Sequence, residues 1–154
     1  MRLFISALAC FLSLSVFSQT TFTGTISNDW AEAGNWDNGL PAEGNDATIP
    51  DGLTVINGDV LAINFTINNF GTIDNLGGLI DNDGTIYNDG WFINDGDIIN
   101  NGTIENYNGT IENYNGTIVN EGAINNNGAI ENTTGGIIEN YNGTINNILG
   151  GTIE

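Results

Sequence analysis

The stretch from Gly102 to Asn120 reads GTIENYNGTIENYNGTIVN and contains one five-residue motif, Gly-Thr-Ile-x-Asn, three times. Outward from this stretch, variants of the motif recur from Gly71 to the end of the sequence. Their glycines are six or seven residues apart, with two steps of eight. Asn stands four places after each of the twelve repeat glycines from Gly71 to Gly143. A unit this short cannot bury a core alone, so it must stack on copies of itself.

The repeat has the alternation of a β-strand, in which successive side chains point to opposite faces. Gly, Ile and Asn then face inward, while Thr and the variable residue face outward. We expect Ile to fill the core, and Gly to allow a corner through positive φ or close approach. We expect Asn to tolerate the left-handed region and to bond backbone groups. Stacked coils, about 4.8 Å apart, predict ladders through Ile86, Ile98, Ile104, Ile111 and Ile118 and through Asn88, Asn94, Asn100, Asn106, Asn113 and Asn120.

The predicted fold class is therefore an all-β parallel β-helix, or β-solenoid. Helices are disfavoured because each interior Gly costs roughly 1 kcal/mol, and disorder is disfavoured because a disordered chain has no reason to keep a strict Ile phase. Three units per coil, about 19 to 22 residues, enclose a core wide enough for Ile, although two units per coil stay open. The uneven steps favour a right-handed coil.

The N-terminal part divides into two segments before the array. Residues 1–18 read as a secretory signal peptide, with a positive start at Arg2, an apolar run and a small residue at Ser18. Residues 19–69 read as an N-terminal cap and first strands, with Trp30 and Trp36 expected to plug the end of the core. Residues 70–154 form the solenoid array. We expect a secreted protein, extracellular or at the cell surface of a bacterium.

Charge excludes several function classes. The chain has 154 residues, 19 of them acidic, one basic residue and no His, which gives a net charge of −18. Arg2 is the basic residue, so the mature chain would carry none. Nucleic acids and anionic membranes both require cationic side chains, and we expect neither as a partner. Lyase and serine or cysteine hydrolase chemistry also lack their base. We expect no enzyme; a paired-carboxylate glycosidase is the remaining alternative.

The segment Trp30-Ala31-Glu32-Ala33-Gly34-Asn35-Trp36-Asp37-Asn38-Gly39-Leu40-Pro41, with Asp46-Ala47-Thr48-Ile49-Pro50 after it, resembles the N-terminal capping stretch of secreted bacterial parallel β-helix proteins. The array behind it resembles filamentous-haemagglutinin-like and pectin-lyase-like surface repeats. This resemblance implies an exported or cell-surface protein with an adhesive or structural role.

Two sets of side chains are candidates for binding. Carboxylates before or after corner glycines suit Ca²⁺, which prefers hard oxygen ligands; these are Asp83, Asp89, Asp95 and Asp97. Two units per coil would stack Asp83 on Asp95, whereas three would separate them, and turn-forming Asp needs no metal. No other cofactor is expected. Exposed aromatic rings could stack on sugar rings or contact protein partners; these are Tyr87, Trp91, Tyr107, Tyr114 and Tyr141.

The sequence thus predicts a structural or adhesive rod, with surface glycans, proteins or its own copies as partners and with end-to-end self-assembly into filaments. Ice binding is an alternative because each unit places one Thr outward, but Trp91, Asp97, Ala123, Ala129 and Ile137 interrupt every row. A glycan-binding or glycan-hydrolysing β-helix is the other alternative. Outward acids such as Glu105, Glu112, Glu131 and Glu139 recur too regularly for a single catalytic site.

Overall fold

The computed structural model describes residues 18–148 and 150–154. The predicted signal peptide, except its last residue, lies outside these residues. The regular structure of the described part of the chain is β-strand, apart from one short 3₁₀ turn at Ala33–Asn35. Its strands are β1 (Ser18–Thr21), β2 (Asn45–Ile49), β3 (Thr54–Asn57), β4 (Val60–Ile63), β5 (Thr66–Asn69), β6 (Thr72–Asn75), β7 (Leu79–Asn82), β8 (Thr85–Asn88), β9 (Trp91–Asn94), β10 (Asp97–Asn100), β11 (Thr103–Asn106), β12 (Thr110–Asn113), β13 (Thr117–Asn120), β14 (Ala123–Asn126), β15 (Ala129–Asn132), β16 (Ile137–Asn140), β17 (Thr144–Asn147) and β18 (Thr152–Ile153).

The strands wind into a β-solenoid of about six turns, because from β2 onward each strand pairs in parallel with the strand three places later in the chain; β1 pairs with β2. Sheet I contains β1, β2, β5, β8, β11, β14 and β17; sheet II contains β3, β6, β9, β12, β15 and β18; sheet III contains β4, β7, β10, β13 and β16. The β-solenoid prediction and three units per coil are confirmed. Coil length varies more than predicted: Thr54 pairs with Thr72, 18 residues on, and Ala129 with Thr152, 23 residues on.

The core is a column of stacked aliphatic side chains, as the inward Ile phase predicts. The second residue of each strand from β6 to β15 is at most 3 % exposed, and all of these residues are Ile except Phe92 on β9. Pairing is in register, so that Ile86 lies beside Ile104 and Ile98 beside Ile118. Each coil therefore contributes three apolar side chains to one continuous interior, which the hydrophobic effect holds together.

Three asparagine ladders run along the solenoid, one at the end of each sheet's strands. In each rung the Nδ2 group donates to the Oδ1 atom of the Asn one coil later, at 2.7–2.8 Å. The ladders are Asn69-Asn88-Asn106-Asn126-Asn147 on sheet I, Asn57-Asn75-Asn94-Asn113-Asn132 on sheet II and Asn82-Asn100-Asn120-Asn140 on sheet III.

Each ladder amide also supports the backbone at its corner. The Nδ2 group of Asn106 donates to the carbonyl of Gly109 at 3.0 Å and to that of Ala129, one coil later, at 3.0 Å. The amide is fully used, which is what burial of a polar group requires. The expected bonding to backbone is confirmed, but the expected left-handed conformation is wrong. Among the described non-glycine residues only Thr134 has positive φ, because the Asn ends a regular strand.

The ladders have a direction and a defined start. Asn69 lies beside Ile49, and Asn82 beside Ile63, so each meets an apolar residue on its N-terminal side. The Oδ1 atoms of Asn69 and Asn82 are accordingly buried without a hydrogen-bond partner. Every later rung receives its bond from the coil before it. The ladders on sheets I and III therefore begin on an apolar residue, and all three ladders run toward the C-terminal coils.

The repeat glycines at the corners are required by close approach and not by positive φ. Gly102 has an ordinary backbone, yet an added Cβ would overlap the carbonyl oxygen of Gly84 and lie 2.8 Å from the carbonyl carbon of Asp83. Successive corners are thus in backbone contact along the axis. Gly58 also occupies a corner, but a Cβ there would have no atom within 4 Å.

Aromatic rings close the N-terminal end, as expected for Trp30 and Trp36. Both are buried, at 6 % and 4 % exposure, and their ring centroids lie 4.8 Å apart in an edge-to-face arrangement. Phe22 packs on Trp36 at 5.2 Å, and the indole N–H of Trp36 donates to the carbonyl of Trp30. The backbone N–H of Trp30 donates to the carbonyl of Ile56, and the N–H of Ile56 donates to the carbonyl of Asn28, which attaches this cap to β3.

The asparagine ladder predicts that the stability lost on replacing an Asn depends on its position in the ladder. Asn106→Ala should lower the free energy of unfolding by about 2–5 kcal/mol, because buried partners above and below lose their bonds. Asn140→Ala, at an exposed ladder end, should cost about 1 kcal/mol. Urea unfolding followed by circular dichroism measures both. Equal losses would contradict the role of the ladder.

The close contacts at the corners predict different effects for two glycine substitutions. Gly102→Ala should destabilise the fold by about 3 kcal/mol, because backbone must move to admit the methyl group. Gly58→Ala should leave the stability unchanged or raise it by up to about 1 kcal/mol through the unfolded state. Thermal unfolding of the two variants tests this; a tolerated Gly102→Ala would show that the corners are not in close contact.

Candidate functional site

The surface available for binding consists of the outer sides of the three sheets and the corners between them. The first and third residues of each strand point outward, while the second and fourth are buried through most of the solenoid. We call the outer sides of sheets I, II and III faces I, II and III. Each face therefore carries two columns of side chains, spaced about 4.8 Å along the axis.

The structure does not bring the four candidate calcium ligands together. Asp83, Asp89 and Asp95 follow strands β7, β8 and β9, which belong to three different sheets, so each lies at a different corner. Asp97 begins β10 on face III. Asp89 and Asp95 accept hydrogen bonds from the next coil, from Asn108 at 2.9 Å and Asn115 at 3.2 Å. Within residues 18–148 and 150–154, no three acidic, His or Cys side chains form a group suited to a metal.

One outward carboxylate, which the sequence reasoning did not single out, has a raised pKa. Partial burial on β6, and then the nearby charge of Asp95, raise the pKa of Asp74. Asp74 lies beside Ile93 of the next coil, which shields it from water on that side. The sequence contains both residues, but their pairing can be predicted only once the coil length is known.

The five candidate aromatic side chains are all exposed, but they do not form one surface. Trp91 begins β9 on face II. Tyr114 and Tyr141 stand at corners that follow sheets II and III. The hydroxyl of Tyr141 donates to the Glu139 carboxylate at 2.7 Å, which raises the pKa of Tyr141. The remaining two, Tyr87 and Tyr107, stack on each other with centroids 6.2 Å apart and planes 23° apart.

Threonine rows are present but interrupted. The first column of face I reads Thr66, Thr85, Thr103, Ala123 and Thr144. The first column of face II reads Thr54, Thr72, Trp91, Thr110, Ala129 and Thr152. The other column of face I holds Asn68, Tyr87, Glu105, Asn125 and Asn146, which are polar or bulky beside the threonines.

Face III is more apolar than the other faces, a feature that sequence reasoning missed. Its columns include Val60, Leu79, Ile99, Val119 and Ile137. Val60 is 73 % exposed and Ile137 50 %. The signal would have been found by writing the outward residues in groups of three, one per sheet, which needs the number of units per coil.

The outward acids considered for hydrolysis lie on open faces. Glu105 is on face I, Glu139 on face III, and Glu112 lies beside Glu131 on face II. Two clefts near the N-terminal coils have other linings: one of about 510 Å³ includes Glu43 and Asp83, and one of about 270 Å³ includes Asp29 and Asp59. The candidate acids and these clefts therefore do not coincide.

Comparison with protein families, with curated proteins and with solved structures gives no match for this chain. The β-solenoid architecture is shown by the structure, whereas membership of the haemagglutinin-like or pectin-lyase-like families stays a prediction. Among the described residues, no helix has the length and apolar character to cross a membrane.

The raised pKa of Asp74 predicts how stability depends on pH. The folded state holds the proton more tightly than the unfolded state, whose pKa is near 3.8. The cost of ionised Asp74 is therefore absent below the unfolded pKa and fully present above the folded pKa. Asp74→Asn should stabilise the protein at pH 7 by a few tenths of a kcal/mol, since solvent screens a half-exposed group, and the gain should fade at pH 3.

Urea unfolding of the wild type and of Asp74→Asn at both pH values measures this. The gain should be smaller in an Asp95→Asn background, because the neighbouring charge is then absent. A gain that is larger at pH 3 than at pH 7 would contradict the assignment.

Proposed function

We propose that this chain is an exported structural β-solenoid, a stiff acidic rod that makes structural or adhesive contacts outside the cell. The observation that supports this most is the set of continuous asparagine ladders beneath a surface that, in the described residues, has no cationic side chains. Each coil is tied to the next by side-chain bonds at three corners as well as by the sheets, so bending the rod would break several bonds at once.

The charge of the surface fits a protein that acts at a distance from membranes and nucleic acids. Residues 18–154 contain no Lys, Arg or His. The net negative charge of the surface keeps copies soluble and opposes their association along their sides. Lateral association is therefore disfavoured, and contacts are best made at ends or at uncharged patches.

End-to-end association is the second part of the proposal. In the last described coil, Ile153 is 47 % exposed, and within residues 18–148 and 150–154 the strands β16, β17 and β18 are each paired on one side. An unpaired strand edge with an apolar centre is a template for further pairing. The N-terminal end is less suitable, because the aromatic cap attaches to β3 and β1 covers β2.

Ice binding is the alternative that the threonine row on face I favours most. Against it, Tyr87 and Glu105 stand beside Thr85 and Thr103, so the face is neither flat nor uniform. We therefore favour the structural rod. Hydrolysis is also not part of the proposal, because the outward acids stand on open faces.

Two measurements test the proposal. Cell fractionation with N-terminal sequencing should find the protein outside the cytoplasm, beginning at Gln19. Light scattering of the purified mature protein should show concentration-dependent end-to-end species, which Ile153→Glu should abolish by placing a charge on the apolar end.

Val119→Glu is the matched control, since Val119 points outward on face III from β13, which is paired with a strand on both sides. It should leave the end-to-end species unchanged. Retention in the cytoplasm would reject export. Loss of association only in Val119→Glu would show that copies associate through face III and not through their ends.

A further inference from the structure

We infer that face I carries a binding site for a neutral glycan, centred on the stacked pair Tyr87 and Tyr107. This inference goes beyond the proposed structural role and does not depend on it. The ligand class is an uncharged pyranose chain, and the site consists of the two rings together with Thr85, Thr103, Glu105 and Asn68.

The tyrosine pair is built by two different parts of the fold. Tyr87 is the third residue of β8 and points outward on face I. Tyr107 is the corner residue directly after β11, the strand that pairs with β8 one coil later. Its backbone N–H donates to the carbonyl of Asn88, which fixes the corner. Because the coil here is 18 residues long, Glu105 lies beside Tyr87 in register, and Tyr107 extends the aromatic surface from the corner.

The rings remain accessible although they contact each other. Tyr87 is 38 % and Tyr107 48 % exposed. Because the two nearly parallel rings stack on each other, the outer ring faces and the ring edges remain for a ligand, and both rings are carried by adjacent, hydrogen-bonded coils. Such a surface loses little conformational freedom on binding, and aromatic side chains supply large contact areas.

Polar groups surround the pair at the spacing of the strands. In the same column Asn68 lies on one side of Tyr87 and Glu105 on the other. Thr85 and Thr103 form the adjacent column. Hydroxyl, amide and carboxylate groups beside an aromatic surface are the set that recognises sugar hydroxyls, because the rings cover the C–H face while polar atoms take the O–H groups.

Charge determines which glycans fit. The described residues have no cation to balance a uronate, sulfate or phosphate, and Asp89 and Glu105 stand near the pair. Anionic sugars would meet repulsion without compensation. The site is therefore specific for neutral sugars over acidic ones.

Tyr107 and Tyr114 provide an internal comparison. Both occupy the corner sequence Asn-Tyr-Asn-Gly, and Tyr114 is exposed to a similar degree, 42 %. Of the two, Tyr107 has an aromatic partner on the preceding coil. If corner tyrosines only cover the neighbouring coil, Tyr107 and Tyr114 should behave alike. If the stacked pair binds a glycan, only Tyr107 of these two should matter for binding.

Affinity electrophoresis of the mature protein tests the site, with native gels containing a soluble β-1,3-glucan, a β-1,4-glucan or a galactomannan. At least one neutral polymer should retard the protein. Tyr107→Ala should weaken binding about tenfold, Tyr107→Phe should keep most of it, and Tyr114→Ala should bind like the wild type. Polygalacturonate should not retard any of them.

Thermal unfolding of each variant separates binding from stability. Equal melting temperatures of Tyr107→Ala and Tyr114→Ala with unequal binding would support the site. Retardation by no neutral polymer, equal loss in both alanine variants, or stronger retardation by polygalacturonate would overturn it. None of these results would affect the fractionation and light-scattering tests of the structural rod.

Discussion

The hydrogen bond from one asparagine amide to the next is the interaction on which the structure depends. Burying a primary amide is costly unless both N–H groups and the oxygen find partners. In the solenoid each interior Asn gives its N–H groups to the next rung and to corner carbonyls, and its oxygen accepts from the rung before. The same side chain therefore fixes the corner, joins two coils and sets the register. Alanine or leucine at this position could supply none of these bonds.

The ladder explains why the other repeat positions are so restricted. Coils joined at bonding distance leave no room for a side chain where corners meet, which accounts for Gly102 over Gly84. They also place inward side chains directly over one another, so a β-branched residue such as Ile104, in register with Ile86 and Ile124, packs along the axis. The outer residues are free of these constraints, and they carry nearly all the variation in charge, size and aromaticity.

The sequence was sufficient to predict what depends on position within a unit. The inward Ile and the ladder Asn follow from strand alternation within the repeat. What depends on coil length was less accessible, because the units differ in length. The stacking of Tyr107 on Tyr87, the raised pKa of Asp74 and the apolar face through Ile99 and Val119 all involve residues one coil apart. The corner glycines were assigned two possible reasons, and only the three-dimensional contacts distinguish close approach from positive φ.

The apolar residues beneath two of the ladders restrict how the repeats can be paired. One unit resembles the next, so a growing solenoid could be threaded a third of a turn out of phase with little loss of contacts. Ile49 and Ile63 occur where Asn would otherwise stand, and together with the ring cluster of Trp30 and Trp36 they define the first turn uniquely. The pairing phase of the whole solenoid is therefore determined by this unrepeated N-terminal turn, because each later coil lies in register with the coil before it.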